Sequence, residues 1–125
     1  MDLRAKCVRN NVGPEDGERL LVTRFRPQGL AEATYDSWDK RLAPSALLVM
    51  AWRNRWVTWR EFSSLYVAEM CAQAQALREL GERARVHPVT ILCQCSDERR
   101  CHRSLLRTMV DRMFRVRLHT LAAAR

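Results

Sequence analysis

The stretch Val89-Thr90-Ile91-Leu92-Cys93, continued by Gln94-Cys95-Ser96-Asp97-Glu98-Arg99-Arg100 and then Cys101-His102-Arg103, decides the fold. Its first five residues are apolar or β-branched and follow Pro88, the pattern of a short strand buried on both faces. A polar turn comes next, and from about Cys101 the spacing of Leu105, Leu106, Met109, Val110 and Met113 predicts a helix with one apolar face. A buried strand running through a turn into a helix is the repeating unit of a parallel α/β sheet.

Working outward, Phe62, Leu65, Tyr66, Met70, Leu77 and Leu80 fall on one face of a helix predicted over about residues 60 to 80, with Gly81 as its C′ residue. Lone Cys71 reads as a small core filler in that helix. Ser45 is a candidate N-cap for a helix from Ala46, whose pattern continues through Trp52, Trp56 and Trp59. With Arg53, Arg55 and Arg60 interleaved, these tryptophans suit either base stacking or core packing, and helical spacing favours the core. Leu20 to Phe25 reads as a strand ended by Pro27 and Gly29, and Phe114 to His119 alternates like a last strand. Residues 1 to 18 are polar, with a turn at Gly13-Pro14-Glu15-Asp16-Gly17. The expected architecture is α/β: one small domain over residues 1–125, with a mostly parallel sheet flanked by helices.

Composition bounds the function. At 125 residues and 47 % hydrophobic content, the chain has material for one core and is not expected to be disordered. No run of about 18 apolar residues crosses a bilayer, and the N-terminus lacks the apolar segment of a secretory signal, so a cytoplasmic chain with no membrane partner is expected. Its five cysteines are then expected as thiols rather than paired. The net charge of +8 comes almost wholly from arginine, Lys6 and Lys40 being the only lysines. The density is highest in the last third, where Arg99, Arg100, Arg112 and Arg117 make a nucleic-acid binding module one reading. The arginines are otherwise spread along the chain, as on any solvated basic surface.

In open parallel sheets, ligands bind beyond the carboxyl ends of the strands. Here those ends are the loop from Arg24 to Gly29 and the loop from Cys93 to Arg103. A helix starting near Cys101 offers unpaired N–H groups and partial positive charge, which hold anions and favour the thiolate over the thiol. Cys101 is therefore the candidate nucleophile and His102 the candidate acid or base, while Arg103 and Arg24 are candidate anion clamps. A second reading makes Cys93, Cys95, Cys101 and His102 ligands of zinc or iron, although the Cys-x-Cys spacing differs from that of zinc ribbons. A third, the Cys-x5-Arg spacing from Cys93 to Arg99, is weakened by Asp97 and Glu98, which would repel a phosphate. The plain structural alternative is that Cys93 ends a core strand, His102 and Arg103 hold a helix start, and Asp97 pairs with Arg103.

Several ordered blocks resemble the family named domain of unknown function 488. They are Asp16 to Arg24, Pro27 with Gly29-Leu30, Trp38 to Ser45, then Trp52, Trp59, Phe62 and Tyr66, and finally Leu92-Cys93 and Cys101-His102-Arg103. The resemblance implies an α/β fold in which the Arg24 loop, the Lys40 to Ser45 segment and the Cys-His-Arg turn are grouped in space. Together with the residue chemistry, it points to a basic pocket of Arg19, Arg24, Lys40, Cys93, Cys101, His102 and Arg103 for a small anionic ligand such as a phosphate, carboxylate or nucleotide. Relatives often read Arg-x-Trp-Pro-Arg-Gly in the first loop, where this chain has Arg26 at the tryptophan position and Gln28 at the second arginine. Gln28 brings no charge to an anion there.

Overall fold

A computed structural model describes residues 1–31, 34–95 and 98–123, the side chains of 98 and 116–123 excepted. Four parallel strands form one sheet: β1 (Leu3–Cys7), β2 (Glu18–Leu21), β3 (Ser37–Trp38) and β4 (Val89–Cys93), in the order β1-β4-β2-β3. The helices are α1 (Ala46–Arg53), α2 (Trp59–Cys71), α3 (Ala74–Val86) and α4 (His102–Ala123). The chain is thus a small α/β domain with a parallel sheet flanked by helices, as its sequence predicts.

β4 lies between β1 and β2, and all five of its residues are buried, which is what its unbroken apolar run requires. Leu3 stands opposite Val89 on one side, and Leu20 opposite Ile91 on the other. The larger core joins Leu20, Val22, Val89 and Ile91 to residues of all four helices, among them Leu48, Tyr66, Leu80 and Leu106. Across the sheet, Leu21 and Leu92 meet Val8 and Leu30, with Tyr35 and Trp38 against them. Gly17, at φ +64°, brings the chain so close to the Pro88 carbonyl that a side chain has no room, and the Glu18 N–H donates to that carbonyl at 3.0 Å.

Five sequence expectations are corrected. β1 falls within the stretch read as polar, because it is an edge strand with only Leu3 and Cys7 buried. Residues 114–119 continue α4 rather than forming a strand; nothing after Met113 interrupts the helix, and Phe114 packs into the larger core. The helix expected over residues 60 to 80 is two helices, broken at Ala72 and Gln73, whose N–H groups turn back to Glu69 and Met70. Gly81 consequently lies inside α3, against the Phe114 ring, instead of ending a helix. The phase of α2 buries Phe62, Tyr66 and Met70 and leaves Leu65 and Cys71 exposed, so Cys71 is no core filler.

The tryptophan stripe divides as well. α1 begins at Ser45, whose hydroxyl accepts from the Leu48 N–H at 3.2 Å, and it ends after Arg53. There the Arg55 N–H reaches the Trp52 carbonyl and the Trp56 N–H the Ala51 carbonyl, the two bonds of a Schellman motif. Its left-handed position, normally glycine, holds Arg55 at φ 58°, an arrangement costing roughly 1–2 kcal/mol for a residue with a side chain. Trp52 and Trp59 pack against the core, whereas Trp56 is 64 % exposed. α2 starts with a capping box, Thr58 accepting from the Glu61 N–H and the Glu61 carboxylate accepting from the Thr58 N–H.

Candidate functional site

β2 and β4 end side by side, Leu21 opposite Leu92, and their carboxyl ends open on a cavity of about 90 Å³. Cys93, Cys101 and His102 line it together with Arg24, and Trp52, Trp59 and Phe62 form an apolar wall. The wall is continuous: Trp59 stacks on Phe62 at 5.1 Å and Phe62 on Tyr66 at 6.2 Å, and Tyr66 meets the His102 ring edge-on at 5.5 Å. The Tyr66 hydroxyl donates to the Leu42 carbonyl at 2.7 Å, and burial raises its pKa, so it acts as a fixed donor.

Cys93 is the last residue of β4, and Cys101 immediately precedes α4. Both are buried, and their sulfurs meet as a bonded pair, in contrast to the five separate thiols expected from sequence. Their Cα atoms are 7.8 Å apart. Arg103, 4 % exposed, turns back from the first turn of α4. Its Nη1 lies 3.1 Å from Cys93 Sγ, 3.7 Å from Cys101 Sγ and 2.6 Å from the Cys95 carbonyl oxygen. The Cys95 thiol is held above its usual pKa by burial, an effect that Arg103 opposes.

His102 is buried with Nε2 2.8 Å from the Val22 carbonyl oxygen. That contact assigns the proton to Nε2 and leaves Nδ1 as the basic nitrogen. Burial, reinforced by Arg103 and opposed by the Val22 carbonyl, lowers the His102 pKa to about 4, so the ring is neutral near pH 7.

The structure groups the Arg24 loop, the 40–45 segment and the Cys-His-Arg turn. Arg24 donates from Nε to the Pro44 carbonyl at 2.9 Å and from Nη2 to those of Lys40 and Ala43, so this cation ties the two segments together. Three other residues expected in the pocket do not line it: Arg103, held on the two sulfurs and the Cys95 carbonyl, and Arg19 and Lys40. Arg19 is buried with its guanidinium on the Asp16 carboxylate and the Thr34 carbonyl, and Lys40 sets its Nζ over the Trp38 ring at 4.6 Å. Sequence reading did not foresee Trp52, Trp59 and Phe62 as cavity wall; the signal was present in aromatics that recur at helical spacing beside two strand ends. The expected Asp97–Arg103 pair lies outside the described residues. Among the described residues, the group able to hold a metal is Cys93, Cys95 and Cys101, with sulfurs within 4.8 Å of one another, while His102 Nε2 faces the Val22 carbonyl.

The fold and site define a small α/β protein with paired cysteines and an arginine at the head of a parallel sheet. The model of DUF488-N3a, described as the active DUF488-N3 subclade, matches residues 3–113, and the chain belongs to this family. It is 30 % identical over 108 residues to the uncharacterized protein YeaO of Escherichia coli, covering 85 % of this chain and 94 % of YeaO. It is 34 % identical over 92 residues to the uncharacterized protein Rv3073c of Mycobacterium tuberculosis, covering 70 % of this chain and 78 % of that one. No solved structure matches the chain. No helix among the described residues is long and apolar enough to cross a membrane.

Proposed function

We propose that the cavity at the ends of β2 and β4 binds a small anionic ligand and that the Cys93–Cys101 pair, once reduced to the dithiol by a cellular thiol that leaves as its own disulfide, supplies a thiolate able to attack it. The observation carrying this reading is the Arg103 guanidinium against both sulfurs. A buried cation needs a compensating charge, and its described partners are one carbonyl oxygen and two sulfurs. A single proton shared by the two thiols leaves one thiolate to meet that need beside the Arg103 guanidinium. Cys101, at the start of α4, gains further from the helix dipole and is assigned as the nucleophile. Its sulfur bonds the electrophilic centre, and the leaving group departs with the bonding pair. Neutral His102 lines the cavity and is assigned as the acid or base.

Alkylation tests this directly, with exposed Cys71 as the reference thiol. In reduced protein at pH 7, Cys101 is expected to react with iodoacetamide faster than Cys71, and to favour the anionic iodoacetate more than Cys71 does. Equal rates and equal reagent preference at the two sites would overturn the proposal. A metal held by Cys93, Cys95 and Cys101 is the second reading, supported by the closeness of the three sulfurs. The guanidinium among the same sulfurs opposes a dication there, and near-stoichiometric zinc or iron in native mass spectra would reverse this order.

A further inference from the structure

The cavity opens outward through a wider groove shared by Trp52, Arg53, Trp59 and Arg100, to which Arg55 and Val57 are added. No carboxylate lines either space among the described residues, whereas Arg53, Arg55 and Arg100 are exposed at the groove. None of these three arginines pairs with a carboxylate among the described residues; Arg53 lies over the Phe25 ring at 5.8 Å. Trp56, 64 % exposed, follows Arg55 directly. Arg55 also occupies the left-handed position of the Schellman motif, where glycine would be easier for the backbone. A strained residue at the mouth of a cavity, carrying a charge that the fold does not use, points to a ligand.

We infer that the ligand of this cavity is a nucleotide, free or at the end of a single strand, with its phosphates on Arg53, Arg55 and Arg100 and its base against the tryptophan wall. The inference rests on the ligand-binding part of the proposed function and adds the substrate class. Guanidinium groups match phosphate oxygens in pairs, and tryptophan faces stack bases whatever their identity. The cavity itself, at about 90 Å³ and walled by Trp52, Trp59 and Phe62, suits the planar group, with Arg53 and Arg100 where it meets the groove and Arg55 in the groove beyond.

The test uses the full chain, a fluorescein-labelled ten-residue oligothymidylate, and unlabelled AMP and inorganic phosphate as competitors. Binding by the oligonucleotide with AMP competing assigns a free nucleotide. Binding without competition by AMP assigns a strand end. Failure of both to bind, or inorganic phosphate competing as well as AMP, overturns the inference. Arg55→Gly is the decisive variant, because glycine suits its backbone: melting temperature should hold or rise while affinity falls about fivefold. Combining Arg53→Gln, Arg55→Gly and Arg100→Gln should flatten the salt dependence of log K by about two units, at roughly 0.7 per phosphate contact. Unchanged affinity in this triple variant also overturns the inference. The two proposals fail separately: oligonucleotide binding is read in unalkylated protein and the Cys101 alkylation rate in protein without nucleotide, so absent binding with fast Cys101 alkylation intact overturns this inference alone.

Discussion

Arg103 Nη1 lies 3.1 Å from the sulfur of Cys93, ten residues back along the chain, so the first turn of α4 is locked to the end of β4 by a charged contact. The same nitrogen reaches the Cys95 carbonyl, which makes Arg103 both a structural clasp and a cation held against the paired sulfurs. Arg103→Ala should therefore shift the alkylation midpoint of Cys101 upward by about 1–2 pH units, a typical size for losing one adjacent charge. Arg103→Lys keeps the charge but loses the fork, and should lie between the two. Measurement is by pH-dependent alkylation with peptide mass mapping; an unmoved midpoint in Arg103→Ala would remove the arginine from the thiol chemistry.

Stability should fall in two stages on acidification. His102 has a folded pKa of about 4, and an unfolded imidazole titrates near about 6.5. Between those values the unfolded chain binds a proton that the folded chain refuses, so stability drops as pH decreases, by about 2 kcal/mol from pH 7 to pH 5. Asp16 behaves differently. Burial raises its pKa, but the Gly13 N–H, Lys6 and Arg19 together bring it down to about 2. Its contribution, about 2 kcal/mol, is present above its unfolded pKa of about 4 and disappears as pH falls toward 2. Urea titrations at successive pH values resolve both stages, and a flat profile between pH 7 and 5 would contradict the buried neutral His102.

Gly81→Ala should destabilise the fold although alanine is the better helix former. The new methyl would collide with the Phe114 ring, which packs directly over the α3 backbone. Overpacking costs about 1–3 kcal/mol against a helix-propensity gain of up to about 1 kcal/mol, leaving a net loss of about 1–2 kcal/mol. Phe114→Leu in the Gly81→Ala background should recover part of it, read from urea midpoints. A rise in stability from Gly81→Ala alone would refute the packing argument.

How much of this was legible in the sequence depends on how local each signal is. β4 could be read because burial on both faces demands an unbroken apolar run, and the Ser45 cap because a hydroxyl before a helix has a specific backbone partner. β1 hid because Arg4 and Lys6 break its apolar pattern in an edge strand, and the false strand at 114–119 arose because alternation over six residues also occurs within a helix. The break at Ala72 and Gln73 carries no glycine or proline to announce it.

By itself, the sequence determined a parallel α/β sheet, a polar turn after β4, and a Cys-His-Arg group at the head of α4, since each follows from spacing within a dozen residues. Only the tertiary structure decided which charges serve the site. Arg19 went to Asp16 and Arg24 to backbone carbonyls, while Arg103 met the sulfurs and His102 met Val22, 80 residues away. The physical reason is that a guanidinium or imidazole takes whichever acceptors packing brings within about 3 Å, a distance set by strand register and helix placement that no local pattern records.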